Sequence, residues 1–118
     1  METGSGMSAT LLVANERNAY ALSDIGTYLK LRNEGRLPNL QILYQGGVDL
    51  INIYSVYLVS TCRDPERGLA IKFMDFVAGD GQDLIAIYGV DKYGQPLFNP
   101  ASDNLSWLEE TWSRLAAS

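Results

Sequence analysis

The sequence predicts an α/β fold, and three features of the 118-residue chain predict it. Apolar residues recur at helical spacing near both ends. Two runs rich in β-branched and aromatic residues lie between them. Glycines and prolines punctuate the joints.

The first helix spans about Gly6 to Asn18, with Met7, Leu11 and Ala14 on one stripe. Ala19 to Leu22 reads as a short extended piece. Ser23 and Asp24 are N-cap candidates for a second helix ending near Gly35, where "NEGRLP" supplies a glycine stop and then a proline. "LQILYQGG" reads as a buried strand closed by a Gly-Gly turn, and "INIYSVYLVST" as a longer strand. Asp64-Pro65-Glu66 starts a helix with a capping carboxylate, a first-turn proline and an acid at the positive end. That helix runs to about Ala78, "GDGQ" breaks it, and a further turn or two reaches Tyr88 before Gly89. "VDKYGQPLF" suggests a small hairpin or an extended excursion around Gly94. Asp103 to Ala116 closes the chain as a helix with Leu105, Leu108, Trp112 and Leu115 on one face, a stripe suited to core or partner surface rather than chemistry.

Composition narrows the function classes. An apolar fraction of 47% with 19% charged residues is that of an ordered globular chain. A net charge of −5 disfavours nucleic acid and anionic membranes as partners, although backbone amides can still hold a small anion locally. Cys62 is the single cysteine, so no internal disulfide forms. The absence of histidine removes the usual general base and the usual zinc ligand. No apolar window approaches a membrane span, and no signal-peptide pattern opens the chain, so it reads as soluble as written.

One stretch carries binding chemistry. In "TGSGMSATLL", Gly4 and Gly6 allow close backbone approach, and a helix behind them leaves amides unpaired at its positive end. Ser5 and Thr10 add hydroxyls. The blander reading is a loose terminus or an ordinary helix cap. Tyr20, in "AYALSD", either aims at the same cleft or packs at the rim of a core. Neither a P-loop nor a nucleophile paired with a base is present, so no catalytic role and no cofactor are expected.

The segment "ETGSGMSATLLVANERNAYALSDIGTYL" resembles the tungstate-binding proteins of ABC importers, in which an "ETG-x-GM-x-ATL" block precedes "AYTLTD…TYL". "LQILYQGG", "LINIYSVYLVS", "AIKFMDFVAGDGQDLIAIYGV" and "YGQPLFNPA" are similar to later blocks of that family in the same order. The resemblance covers Glu2 to about Ala101. It makes residues 1–101 the C-terminal part of a tungstate-binding-protein-like domain and leaves 102–118 as an appended amphipathic helix. It implies a periplasmic-binding-protein-like fold of type 2, present as one lobe with a returning C-terminal segment. It further implies a tungstate or molybdate ligand held by backbone amides at Gly4, Ser5, Gly6 and Met7, with Thr10 beside them and Tyr20 at the lobe's edge. Ser23 and Asp24 match the family's Thr-Asp pair, here read as a helix cap. A transporter permease partner and a periplasmic or extracellular location follow from the same likeness, and "METGSGM" is then native sequence apart from Met1.

Departures accompany the match. Ile25 stands where an arginine is common, Gln45-Gly46-Gly47 replaces Glu-Gly-Asp, and Asn52-Ile53 has lost an Asn-Pro pair. The family's first lobe, with its Thr/Ser-rich loop, has no counterpart here. A dianion needs many donors and exclusion of water before charge-assisted bonds outweigh its hydration. Half a seat therefore implies weak binding, and an uncovered apolar surface implies a homodimer, with or without exchanged elements. The alternative function is a stand-alone interaction or anion-sensing module without a transport role.

Overall fold

A computed structural model describes Gly4 and residues 6–117. The elements in chain order are α1 (Met7–Arg17), α2 (Ile25–Asn33), a 3-10 turn (Val48–Leu50), α3 (Glu66–Ala78), α4 (Gly81–Ile87), α5 (Val90–Tyr93), a second 3-10 turn (Ser102–Asn104) and α6 (Leu105–Ala116). No helix among the described residues is long and apolar enough to cross a membrane.

The chain divides into two compact units. One comprises the chain up to Gln45 together with Gly89–Leu97; the other comprises Gly46–Tyr88 and the chain from Phe98 onward.

The first unit is a helical hairpin with a short third helix. Leu11 and Ala14 of α1 share one face, because a spacing of three residues keeps side chains on one side of a helix. Both are buried, and Leu11 meets Leu31 of α2 and Leu37 of the following turn, with Leu12, Tyr28 and Leu40 packed against that cluster. Asp24 caps α2: its Oδ1 accepts the Thr27 amide at 2.7 Å and its Oδ2 the Thr27 hydroxyl at 2.8 Å. The expected cap at Ser23-Asp24 is therefore present, and Asp24 supplies it.

The glycine stop after α2 is equally legible. Gly35 adopts φ +70°, Gly35 N donates to Arg32 O at 3.0 Å, and Arg36 N reaches back to Leu31 O at 3.0 Å. These are the paired bonds of a Schellman ending. Two polar side chains then tie the turn down. Arg32 Nη1 donates to the carbonyls of Leu37 and Leu40. Buried Asn15 accepts the Asn39 amide through Oδ1 at 2.9 Å, while Asn39 Nδ2 donates to the Asn15 carbonyl at 3.2 Å. Leu97 lies over Gly26 and Gly89; a Cβ at Gly89, whose φ is +93°, would stand 2.6 Å from Leu97 Cγ.

In the second unit, α3 ends at Ala78 and α4 begins at Gly81. A Cβ on Gly81 would stand 2.7 Å from the Phe76 carbonyl oxygen, so only glycine fits this tight restart. Gln82 braces the unit, donating through Nε2 to Val77 O at 2.6 Å and accepting the Ser102 amide through Oε1 at 3.2 Å. The Phe98 ring meets Tyr54 edge-on at 5.7 Å and Tyr88 at 6.1 Å.

The α/β expectation does not hold. The described residues contain helices and no strand, so the expected sheet of a periplasmic-binding-protein-like lobe is absent. A strand is defined by backbone bonds to a neighbouring strand, and high β-propensity cannot replace that neighbour. Residues 51–59 carry the right side chains, yet the run pairs with no other segment and leaves Tyr54, Tyr57 and Val59 exposed. "LQILYQGG" and Ala19–Leu22 likewise form no ladder. Two local expectations also change. Asp64 does not cap α3, whose N-cap position is Pro65 with no side-chain cap bond. Around Gly94 the chain forms α5 and a left-handed glycine ending rather than a hairpin or an extended excursion.

Candidate functional site

The glycine-rich turn leads directly into α1. Gly6 is its N-cap residue at φ −65° and ψ 168°, and the Gly6 carbonyl accepts the Thr10 amide at 3.1 Å as the first rung of the helix. The amides of Met7, Ser8 and Ala9 precede that rung and emerge from the helix end. Among the described residues no side chain caps this terminus, and no acidic residue lies in its first turn. The end therefore retains its partial positive charge, about half an elementary charge, without a competing carboxylate in that turn.

Gly6 through Ala9 are exposed, and a Cβ at Gly4 or Gly6 would meet nothing within 4 Å. Gly4 takes φ +58°, a left-handed conformation that favours glycine. Ser5 lies outside the described residues. Thr10 directs its hydroxyl at its own helix, donating to the Gly6 carbonyl at 3.3 Å. Met7 occupies the first helical position, so its contribution is its amide.

Tyr20 sits elsewhere. α1 is 11 residues long, which at 1.5 Å per residue makes a spacer of about 16 Å, and Tyr20 follows its far end, 91% exposed. The structure thus gathers Gly4, Gly6, Met7 and Thr10 at one end of α1 and leaves Tyr20 beyond the other.

What fixes the site in place lies behind it. One turn further along, Leu11 enters the buried cluster, and Asn15 is clamped to Asn39. The Asn15–Asn39 clamp went unread in the sequence, where both are ordinary polar residues. Their only signal was that Asn15 stands four residues after Leu11, on the helix's apolar face.

The arrangement can do limited chemistry. A helix terminus favours an anion by about 0.3–1 kcal/mol when exposed and about 2 kcal/mol when partly buried. Three amides on an open surface do not replace the hydration shell of a dianion. Two surface hollows stand out among the described residues. One of about 200 Å³ is lined by Arg32, Gly35, Leu37 and Pro38, and one of about 500 Å³ lies along residues 102–107. Neither includes the glycine turn or Tyr20. Among the described residues no group of acidic or cysteine side chains forms a metal site, and Cys62 is a half-buried thiol whose amide donates to Val59 O.

A helix start preceded by glycines has the geometry that in general favours a bound anion. The relatives of the chain point the same way. It is 33% identical over 103 residues to the tungstate-binding protein TupA of Peptoclostridium acidaminophilum, a match that takes in 85% of this chain and 35% of that protein. It is 35% identical over 100 residues to the TupA of Campylobacter jejuni, covering 82% and 37% respectively. A Haloferax volcanii protein named as an ABC transporter anion-binding protein is 34% identical over 104 residues, covering 84% and 30%. No family model and no solved structure matches the chain. Over the matched residues this chain is similar to tungstate-binding proteins. It spans about a third of the length of the curated relatives it matches.

Proposed function

We propose that this chain carries part of the oxyanion seat of an ABC transport system's binding protein, with tungstate or molybdate as ligand. The amides around Gly4, Ser5, Gly6 and Met7 receive the anion's oxygens, and Thr10 stiffens the turn by holding the Gly6 carbonyl. The observation that carries this reading is the start of α1, acid-free in its first turn and uncapped among the described residues, in a stretch whose sequence resembles tungstate-binding proteins. The seat is incomplete: it offers few donors and no cover, so the chain by itself binds the anion weakly. Tyr20 contributes only where further polypeptide brings it to the cleft. A permease partner and a periplasmic or extracellular location belong to the same reading. So does a binding rather than catalytic role, in keeping with relatives named for binding.

Calorimetric titration of the chain with tungstate, molybdate, sulfate and phosphate tests the proposal. The expected result is tungstate or molybdate binding weaker than micromolar that disappears in Gly6→Asp. That variant places a carboxylate on the amides and also caps α1, so its thermal stability is unchanged or raised. Micromolar or tighter tungstate binding overturns the incompleteness. Binding that persists in Gly6→Asp moves the seat elsewhere, and no response to any anion favours an interaction module.

A further inference from the structure

We propose that residues 53–59 pair antiparallel with the same residues of a second copy, about a two-fold axis at Val56. The run from 51 to 59 forms neither helix, turn nor bend. Among the described residues, no amide or carbonyl from Asn52 to Leu58 is hydrogen-bonded within the chain. No proline or glycine interrupts the stretch from Leu50 to Cys62, so each residue brings both a donor and an acceptor. Unpaired backbone on a β-branched and aromatic run is a template for a strand of another chain. The run is also held in place. Ile51, Ile53 and Leu58 are half-buried, and the Tyr54 ring meets Phe98.

Charge selects the occupant and the direction. Leu50 to Cys62 carries no charge, whereas Asp49 and Arg63 stand at its two ends. Both are exposed, and neither joins an ion pair among the described residues. Val56 is midway, seven residues from each. An antiparallel pair centred there sets Asp49 of each copy toward Arg63 of the other. A parallel in-register pair would set Asp49 on Asp49 and Arg63 on Arg63, and like charges directly opposite are destabilising. Both charges stand just beyond the ladder, so they steer its direction through a screened field rather than a fixed ion pair. The same register places Ile53 against Val59 of the second copy, and Tyr54 against Leu58 of the second copy. Branched and aromatic pairs of this kind hold strands together. A patch that contacts itself in this way closes at two copies. Seven paired residues bury less than a standard interface, so the association belongs to the weak, concentration-dependent class.

Sedimentation velocity and amide hydrogen exchange of the full chain over a concentration series test this. The expected mass rises from 13.0 kDa toward twice that value. Every second amide from Ile53 to Val59 gains protection in parallel, because alternate residues of an antiparallel strand bond to the partner. Arg63→Asp and Asp49→Arg are each expected to raise the dissociation constant roughly 3–10-fold, and the double variant restores it. Crosslinking reads the register. In a Cys62→Ser background, Val56→Cys brings two Cα atoms to about 4.5–5.5 Å across the axis and forms a covalent dimer in air. Tyr54→Cys, which faces Leu58 of the second copy, does not. A mass of 13.0 kDa at every concentration up to the solubility limit overturns the proposal. So does a dimer in which the amides of 53–59 stay unprotected, or one that crosslinks equally through Tyr54→Cys.

Discussion

Replacing Asn15 with alanine tests how the first unit holds its helix in place. The Asn15 side chain is 8% exposed and accepts the Asn39 amide at 2.9 Å. Alanine removes that acceptor and leaves a partly buried N–H unpaired, which costs about 1–3 kcal/mol. The return bond, from Asn39 Nδ2 to the Asn15 carbonyl at 3.2 Å, survives in this variant because it uses the backbone. Asn39→Ala removes the return bond alone, at about 0.5–1.5 kcal/mol. The two side chains thus bond to each other's backbone rather than to each other. A double-mutant cycle is therefore expected to couple them by under about 1 kcal/mol. Urea denaturation supplies the energies, and hydrogen exchange at the Asn39 amide reads the lost bond directly. An Asn15→Ala chain that loses less than about 0.5 kcal/mol with Asn39 still protected would falsify the clamp.

Asp24→Ala removes both bonds to Thr27 and is expected to cost about 0.5–2 kcal/mol, with Asp24→Asn recovering most of it; thermal melts compare the three proteins. Gly89→Ala forces a side chain into φ +93° against Leu97 and is expected to destabilise by about 1–3 kcal/mol. Pairing it with Leu97→Ala relieves the clash but not the backbone strain, so a full rescue contradicts the assignment. Gly81→Ala sets a methyl against the Phe76 carbonyl, and circular dichroism should record lost helix where α3 gives way to α4.

How much was legible depends on the range of the interactions involved. Helices announce themselves locally. Asp24 three residues before Thr27, and Gly35 after Asn33, act on backbone within a turn of themselves, and both behave as read. The helix start behind the glycine turn was legible for the same reason, since it is a local object and Gly6 lies at it. Tyr20 was harder to place. Sequence proximity to the glycine turn suggested one cleft, whereas the helix between them acts as a spacer of about 16 Å. The run at 51–59 failed for the opposite reason: its composition states a preference for pairing, and pairing is a property of two segments.

The amino-acid order alone determined where α1, α2 and α6 start and stop, which side of α1 and α6 is apolar, and kinship with tungstate-binding proteins. All of these are written within a few turns of chain or in the order of residues. Tertiary structure decided that Asn15 and Arg32 lock the turn after α2, that Leu97 shields Gly26 and Gly89, and that no sheet forms among the described residues. Each of those outcomes needs a partner distant in sequence, and only the folded chain supplies or withholds it.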